Sequence, residues 1–412
     1  MHPEFQTGIF RYGVEFLKTV NSNGFKSTII CGLSGEDSFE CDFLAQRLRE
    51  SLPHLNNQIA TFPKNLFGFN YRSLIRTLFS RKEKPTPFSG LLRKLAVGLR
   101  SVAGSLKQRF LTGTDFDVIH RPSPHLIPCE SMAGVPRVVT IHDVLPVKHP
   151  FLFRKDLVIR FTEAFQSIQF DRELILCDSQ ATRDDVLSIF PASPERCWIV
   201  PLAAADHFYP MKDPALVGAV LTKWGIEADQ YLLSVATLEP RKNLPLLVRC
   251  YKEMVQAGEI KNCPLVLVGG PGWGGVQEQI KRLIEGYEMN FVITGRVADD
   301  ELRALYNGAR AFIYIPCSEG FGLPPLEAMQ CGTPVVVSKA RSLTEVVGDA
   351  GVQVDLENEL TLRQAILKVL TNDDLRLDLR AKGLDRARGF SWKQTAELTF
   401  EAYRYAFENC QV

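Results

Sequence analysis

The stretch from Tyr314 to Val336 combines two carboxylates with a glycine turn. A buried strand is predicted to end at Ile315, so Glu319 lies beyond its carboxyl end, where open α/β sheets bind ligands. Glu327 follows eight positions later and falls on the next predicted helix. The turn and the helix start would present amides to an anion, as phosphate sites do; these belong to Gly320, Phe321, Gly322 and Leu323. Taken alone, the glutamate pair also fits a tight turn with surface carboxylates.

Polar residues follow other predicted strands. Arg241 and Lys242 come shortly after the apolar run Tyr231–Ala236, where cations could stabilise a diphosphate leaving group or form a solvated turn. Two further residues, His142 and Asp143, come directly after the run Arg137–Ile141. A lone histidine at a strand end, such as His142, is more often a structural hydrogen-bonding group, and His120, which follows another predicted strand, is a weaker candidate.

Short apolar runs alternate with helical patterns along the chain, which predicts parallel sheets. The predicted strands are Ser27–Cys31, Asp117–Ile119, Arg137–Ile141, Glu173–Cys177, Trp198–Val200, Tyr231–Ala236, Pro264–Val268, Phe291–Ile293, Ala311–Ile315, Pro334–Val337 and Gly351–Val354. We expect two α/β, Rossmann-like domains, at 1–205 and 221–390, with a proline-rich linker at 206–220. Ser391 is a candidate N-cap for an amphipathic helix over 391–412. The helical pattern near Gly8 leaves only seven residues before it, too few for a strand and its turn.

Composition excludes several classes of protein. The sequence has 412 residues, 45% of them hydrophobic and 23% charged, typical of a soluble globular protein with room for two domains. Its ten cysteines lack metal-finger spacing, and neither a secretion signal nor a membrane-spanning run is visible, so we expect a cytoplasmic protein. The lone D-x-D at Asp115 and Asp117 is better explained as a turn than as a metal site.

A nicotinamide dehydrogenase is disfavoured because no G-x-G-x-x-G follows an early strand.

Positive charge is concentrated in residues 64–111, although the net charge of the chain is only +1. This segment has eleven Lys or Arg and one Glu, and apolar residues recur at helical spacing from Leu91 to Phe110. Such a helix could pack on a sheet with a solvated basic face, or lie on an anionic membrane leaflet. The charge bias favours peripheral contact with the inner face of the membrane. The balanced net charge gives no indication of a nucleic-acid partner.

The 314–336 stretch resembles the retaining GT-B glycosyltransferases of family 4, and the resemblance extends over most of the chain. The segment Ala236-Thr-Leu-Glu-Pro-Arg-Lys-Asn resembles the family's segment that contacts the donor diphosphate, with Lys242 at the matching position and Arg241 as its neighbour. Thr237 stands where many relatives carry a further arginine. The loops after Val268 and around Gly295, Arg296 and Val297 resemble those that line the nucleotide pocket. The final helix resembles one that crosses back to the first domain.

The resemblance implies a role for each group. Gly8 would approach the donor phosphate from the amino-terminal, acceptor-binding domain, and His142 would contact the transferred sugar, with Asp143 and the weaker candidate His120 on the acceptor side. Lys242, Arg241 and the four turn amides would stabilise the departing diphosphate. Glu319 would orient the sugar ring, although a glutamate there could also be imagined as a covalent nucleophile. Glu327 would bind the ribose hydroxyls.

The expected activity is transfer of a hexose from a nucleotide-sugar to a saccharide or lipid-linked acceptor in polysaccharide or lipopolysaccharide biosynthesis. The Pro-Gly-Trp loop variant and the Leu-Glu-Pro-Arg-Lys-Asn block resemble the subgroup that often uses GDP-mannose. Neither a metal nor another cofactor is expected, since the nucleotide-sugar is a co-substrate. The alternatives are a sugar-nucleotide epimerase or phosphorylase of the same fold and a non-catalytic scaffold.

Overall fold

A computed structural model describes residues 117–125 and 134–410, together with the backbone of two short strands at Ile29–Ile30 and Ile59–Ala60. The strands are β1 Ile29–Ile30, β2 Ile59–Ala60, β3 Ile119–Arg121, β4 Arg137–Ile141, β5 Leu174–Cys177, β6 Cys197–Ile199, β7 Leu232–Val235, β8 Leu265–Val268, β9 Phe291–Gly295, β10 Ala311–Tyr314, β11 Val335–Ser338 and β12 Gly351–Val354. Each predicted strand overlaps an observed one. The strand at Ile59–Ala60 is not among those predicted.

The helices follow the strands as crossover connections. They are α1 Leu145–Lys148, α2 Lys155–Gln166, α3 Gln180–Ile189, α4 Pro214–Lys223, α5 Leu244–Gln256, α6 Val276–Ile284, α7 Asp299–Gly308, α8 Leu323–Gln330, α9 Arg341–Val347, α10 Glu359–Thr371, α11 Asp373–Arg388 and α12 Trp392–Asn409. None of the helices in the described part of the chain is long and apolar enough to cross a membrane.

All strand pairs are parallel, and the strands fall into separate sheets. The first described sheet has the order β3-β4-β5-β6, the second has the order β12-β11-β10-β7-β8-β9, and β1 pairs with β2. In the second sheet the chain runs outward from β7 to β9 and then returns to β10 on the other side of β7. The boundary between β7 and β10 is therefore a topological switch point, the place where open α/β sheets bind ligands.

The burial of the strands explains why the predicted strand segments are continuously apolar. Every residue of β8, β10 and β11 is buried, because helices cover both faces of the sheet. The second sheet and its helices share one large hydrophobic cluster, which also takes in Ala203–Ala205 and Phe208 from the connection between the sheets.

The segment 206–220, predicted as a linker without periodicity, differs from that expectation in its second half. Helix α4 begins at Pro214, and the side chain of Asp213 caps it by accepting a hydrogen bond from the Ala215 amide at 2.9 Å. Proline suits the first position of a helix because its missing N–H would have no partner there. The proline interpreted as a linker residue is thus the start of a helix.

The carboxyl-terminal helix α12 joins the two sheets, as the sequence predicts. Ser391 is its N-cap, with Oγ accepting from the Gln394 amide at 3.2 Å. Near its start, Trp392 and Ala396 belong to the core of the second sheet, whereas Ala402 and Ala406 pack with residues of β4 and β5. Helix α12 therefore crosses from the second sheet back to the first.

Candidate active site

Two cations are held at the carboxyl end of β7. Pro240–Lys242 forms a single 3-10 turn, and Asn243 then takes a left-handed conformation (φ 56°) before α5 begins. The Cys317 amide donates to the Arg241 carbonyl at 2.9 Å, which joins this turn to the loop after β10. The side chains of Arg241 and Lys242 thus lie at the switch point.

Glu319 lies between these cations and accepts a hydrogen bond from each. Oε1 is 2.9 Å from Nη1 of Arg241, and Oε2 is 2.6 Å from Nζ of Lys242. The hydroxyl of Tyr314, at the end of β10, also donates to Oε2 at 2.6 Å, and Glu239 forms an ion pair with Arg241 at 2.8 Å. The structure therefore brings together the cations and the first glutamate that the sequence predicts for one site.

Burial and neighbouring charges both shift the pKa values of this cluster. Burial alone would disfavour the ionised form of Glu319, but the neighbouring charges of Arg241 and Lys242 outweigh it, so its pKa lies far below the usual range. Burial and the adjacent Arg241 lower the pKa of Lys242, although Glu319 partly opposes this shift. The cluster is a compact set of opposite charges, each only slightly exposed to water.

The glycine loop after β8 packs directly on the segment that carries the cations. A Cβ at Gly269 would lie 1.8 Å from the Ala236 carbonyl oxygen, and one at Gly272 would lie 2.5 Å from that of Leu238. Gly269 also has a φ of 152°, which side chains rarely adopt. Glycines in this loop are thus required by close approach of two backbones.

The loop after β9 adds the residues predicted to line the nucleotide pocket. Gly295 has a φ of 70° and its carbonyl accepts from the Gly269 amide at 2.9 Å, so the two loops are tied together. The side chain of Arg296 lies against Gly270, where an added Cβ would meet its Nε at 2.3 Å. Val297 is partly buried against the core. These loops lie beside one another at the carboxyl ends of neighbouring strands.

Helix α8 begins directly beyond the glycine turn. Gly322, at its N-cap, has a φ of 116°, and a side chain there would also collide with Leu343. Pro324 and Pro325 occupy the first turn and have no N–H. An anion at this helix start could therefore accept hydrogen bonds from the amides up to Leu323, but not from either proline. Phe321 is buried against Phe390.

Glu327 lies inside α8 and is only 3% exposed. Its Oε2 accepts a hydrogen bond from the Tyr306 hydroxyl at 3.1 Å. This hydrogen bond joins α8 to α7. The role of Glu327 toward a ribose stays a prediction.

On the opposite side, His142 follows β4 and uses both ring nitrogens within its own half of the molecule. Nδ1 lies 2.7 Å from a carboxylate oxygen of Asp178, and Nε2 lies 3.0 Å from the Pro122 carbonyl. An ionised carboxylate and a carbonyl can only accept, so these contacts favour a ring that carries a proton on both nitrogens. Burial opposes this protonated form, but Asp178 outweighs it, so the pKa of His142 is raised.

Asp143 is the next residue, and it faces the donor-side charges. Its carboxylate accepts from the Leu145 amide at 3.0 Å, which fixes it at the start of α1. Burial raises its pKa, while the positive charge of Arg241 acts in the opposite direction. This electrostatic coupling links the His-Asp pair to the cations across the cleft.

Direct contact joins the two sides at Gly320. A Cβ there would lie 2.4 Å from the His142 carbonyl oxygen and 2.9 Å from Cβ of Asp143. The residue after Glu319 must therefore be glycine for the turn to approach the end of β4. The structure thus brings Arg241, Lys242, Glu319 and Gly320 together with the predicted acceptor-side pair His142 and Asp143.

His120 is held elsewhere, between the first sheet and the crossing helix. Nδ1 lies 2.7 Å from the Tyr403 hydroxyl of α12, and Nε2 lies 2.8 Å from the Thr140 hydroxyl. Burial, with His142 and Arg121 nearby, lowers its pKa to about 3, so the ring is neutral. These contacts are those of a structural histidine, the alternative that the sequence leaves open.

Three predicted features lie outside the described residues: Gly8, Asp115 and the basic segment 64–111. Asp117, the second residue of the D-x-D, is described and exposed. Among the residues that the structure describes, no group of three or more His, Cys, Asp or Glu side chains is arranged to hold a metal ion.

Sequence reasoning missed several residues that fix the site. Tyr314 and Glu239 hold the charged cluster, and Asp178 holds His142. Asp178 could have been found, because it directly follows a predicted strand in the same way as His142 does. No local sequence pattern identifies Glu239 as the partner of Arg241. The hydrophobic and glycine patterns around it predict backbone structure, not which side chains form an ion pair.

Comparisons with known proteins agree with this geometry. Residues 221–386 match the family model for glycosyl transferases group 1. The chain is 35% identical over 269 residues to the O-antigen chain mannosyltransferase B of Escherichia coli, covering 65% of this chain and 70% of that protein. It is 30% identical over 283 residues to the serotype-specific mannosyltransferase WbdA of Escherichia coli, covering 66% of this chain but only 34% of WbdA. The solved complex of Anabaena HepE with UDP and glucose aligns over 97% of this chain and 96% of HepE, with a TM-score of 0.65 and 15% identity.

The fold is the predicted GT-B fold, with two Rossmann-like sheets and a helix crossing between them. The chain belongs to the glycosyl transferases group 1 family. It is an enzyme, a hexosyltransferase, as the sequence predicts.

Proposed function

We propose that this enzyme transfers mannose from GDP-mannose to a hydroxyl of a saccharide or lipid-linked saccharide, with retention of anomeric configuration, during synthesis of an O-antigen or related cell-surface polysaccharide. The observation that carries the proposal is the cluster of Lys242, Arg241 and Glu319 at the switch point, in contact through Gly320 with His142 and Asp143. The mannosyltransferase relatives from Escherichia coli support the choice of sugar and of pathway.

In this proposal the cations act on the leaving group. As the bond between the sugar C1 and the diphosphate oxygen breaks, Lys242 and Arg241 stabilise the negative charge that develops there. The acceptor hydroxyl attacks C1 from the same face, and its proton passes to the departing phosphate. Two cations that are only slightly exposed to water can supply this charge, so we propose that no metal ion is required.

Glu319 positions the sugar rather than forming a covalent bond to it. Both of its carboxylate oxygens accept hydrogen bonds from cations, and Oε2 also accepts from Tyr314. A carboxylate so stabilised is a weak nucleophile, because its lone pairs and charge are already engaged. We propose that His142 and Asp143 face the transferred sugar and the acceptor, and that segment 64–111 contacts the membrane.

The donor is tested by thermal unfolding of the full chain with GDP, UDP and ADP, each with and without its sugar, in the presence and absence of EDTA. A ligand that binds only the folded protein raises the midpoint by mass action. We expect GDP and GDP-mannose to raise it, with no effect of EDTA. Lys242→Ala should abolish the shift, whereas Lys393→Ala, at a side chain 78% exposed on α12, should keep it.

Each other outcome has a definite meaning. A shift with UDP alone would show that the donor carries UDP instead of GDP. A shift that is lost with EDTA would show that binding requires a metal ion. No shift with any nucleotide contradicts the proposal and supports a scaffold. The product linkage then decides the stereochemistry, because a β-mannoside formed from the α-linked donor would exclude retention.

A further inference from the structure

The first turn of α3 lies between the two sides of the cleft. It follows β5 directly, and Ser179 caps it by accepting from the Thr182 amide at 3.0 Å. Although this turn belongs to the first sheet, its side chains reach the glycine turn that follows Glu319. It is placed to control how the donor loop sits against the end of β4.

Thr182 touches both sides at once. Its hydroxyl oxygen lies 3.1 Å from the Gly320 carbonyl oxygen and 3.3 Å from the His142 carbonyl oxygen, and the residue is only 3% exposed. Ser179 also donates to the Gly320 carbonyl, at 2.7 Å. One buried hydroxyl thus bridges a carbonyl of the donor loop and a carbonyl of the predicted acceptor strand.

The two carbonyls need such a donor because they lie in a crowded, dry place. Gly320 packs so closely on His142 that a Cβ would lie 2.4 Å from the His142 carbonyl oxygen. A buried carbonyl that has lost water needs a hydrogen-bond donor; Ser179 and Thr182 both reach the Gly320 carbonyl, and the Thr182 hydroxyl also reaches the His142 carbonyl. Gly320 thus provides the space for the contact, and Thr182 provides the hydroxyl that reaches the carbonyls on both sides of it.

A second set of contacts holds the same turn to the donor side. The carboxylate of Glu345, on α9, accepts from the amides of Gln180 and Ala181, both at 2.7 Å. A carboxylate at the start of a helix is favoured by the unpaired amides and the helix dipole. Arg341, also on α9, lies 3.1 Å from Asp185 on α3. The start of α3 is therefore fixed between both halves of the site.

We propose that Thr182 is a positioning residue that sets the distance between the donor-bound sugar and the acceptor groups. The inference rests on the proposed function, since it assigns Glu319 to the sugar and His142 to the acceptor side. Because Thr182 is buried, the proposal places it in contact with neither nucleotide nor acceptor. Loss of its hydroxyl should leave nucleotide binding intact while transfer slows and more of the donor is lost to water.

The test compares Thr182→Val, which keeps the shape and removes the hydroxyl, with Thr182→Ser, which keeps the hydroxyl. Thr399→Val is the matched control, because Thr399 is also fully buried and donates to a carbonyl, that of Thr395 at 2.7 Å, but lies on α12. The readouts are the Kd for GDP, the kcat for mannose transfer and the ratio of donor hydrolysis to transfer.

For Thr182→Val we expect kcat to fall on the order of tenfold to a hundredfold, with the Kd for GDP changed less than about twofold and the hydrolysis ratio raised. Thr182→Ser should recover most of the transfer, and Thr399→Val should keep all three values. Equal kcat and hydrolysis ratio in Thr182→Val and Thr399→Val would overturn the inference. So would a loss of transfer matched by an equal loss of GDP affinity.

A second variant covers the case in which Thr182→Val does not fold. Glu345→Gln weakens the hold on the same turn from a partly exposed position, and we expect it to raise the hydrolysis ratio without changing the Kd for GDP; an unchanged ratio overturns the inference. Failure of the proposed function is distinct, because the wild-type enzyme would then bind no nucleotide or transfer no mannose.

Discussion

The two sides of the cleft are built on different physical principles. On the donor side, Arg241 and Lys242 are balanced by Glu319, and a diphosphate can take the place of a carboxylate beside such cations. On the opposite side, His142 and His120 make their hydrogen bonds within the first sheet and to α12. The donor side holds charge that a ligand can use, whereas the other side holds groups whose positions are fixed.

The largest expected effect comes from Glu319→Gln. Transfer should fall on the order of a hundredfold to a thousandfold, because the amide cannot orient the sugar as the carboxylate does. The affinity for GDP should be unchanged or higher, since Lys242 and Arg241 lose a competing anion. Steady-state transfer rates and GDP titration measure the two effects. If GDP affinity fell in parallel with transfer, the proposal that the donor-side cations are available to a diphosphate would be contradicted.

Gly269→Ala should destabilise the donor side most strongly. The new methyl group would lie 1.8 Å from the Ala236 carbonyl oxygen, at a φ of 152°, so we expect the free energy of unfolding to fall by more than about 2 kcal/mol. Gly218→Ala is the control, because it has open space within α4 and should be neutral or stabilising. Urea titration gives both values, and equal stabilities would refute the close-approach argument.

Asp178→Asn tests whether the ring of His142 is charged. The pKa of His142 is raised above 6.5 in the folded protein, so its contribution to stability is fully present below that pH and is lost as the pH rises through the folded-state pKa. The variant should therefore lose more stability at about pH 5.5 than at about pH 8.5. Chemical unfolding at the two pH values measures this difference. A loss that is the same at both would show a neutral ring.

The smallest effect is expected for Tyr403→Phe. Removal of the hydroxyl that bonds to His120 should cost about 1 kcal/mol in unfolding free energy and leave mannose transfer unchanged. Tyr209→Phe, at a ring 47% exposed, is the control and should change neither. A large loss of transfer in Tyr403→Phe would return His120 to the acceptor site.

Much of the fold follows from local pattern. The apolar runs predict β4 and β12 with their observed ends, although β12 is a partly buried edge strand that contains Gln353. The N-cap at Ser391 is equally local. Pattern fails where tertiary packing decides, as at 206–220, where prolines suggest a linker but Pro214 starts a helix that packs on the second sheet.

The residues of the candidate site likewise include some that local sequence predicts and others that only tertiary packing brings together. Local pattern is enough to show that Lys242, Glu319 and His142 each follow a strand, and the carboxyl ends of parallel strands in one sheet lie at the same edge. The contacts of Thr182 with Gly320 and His142 depend instead on tertiary packing, since Thr182 and Gly320 are 138 residues apart. The same holds for the hydrogen bond between His120 and Tyr403, which are 283 residues apart. A hydroxyl or imidazole forms a hydrogen bond with whichever acceptor or donor the packing of distant elements brings within about 3 Å. Hydrophobic periodicity along the chain predicts helices and strands but not these distances between them.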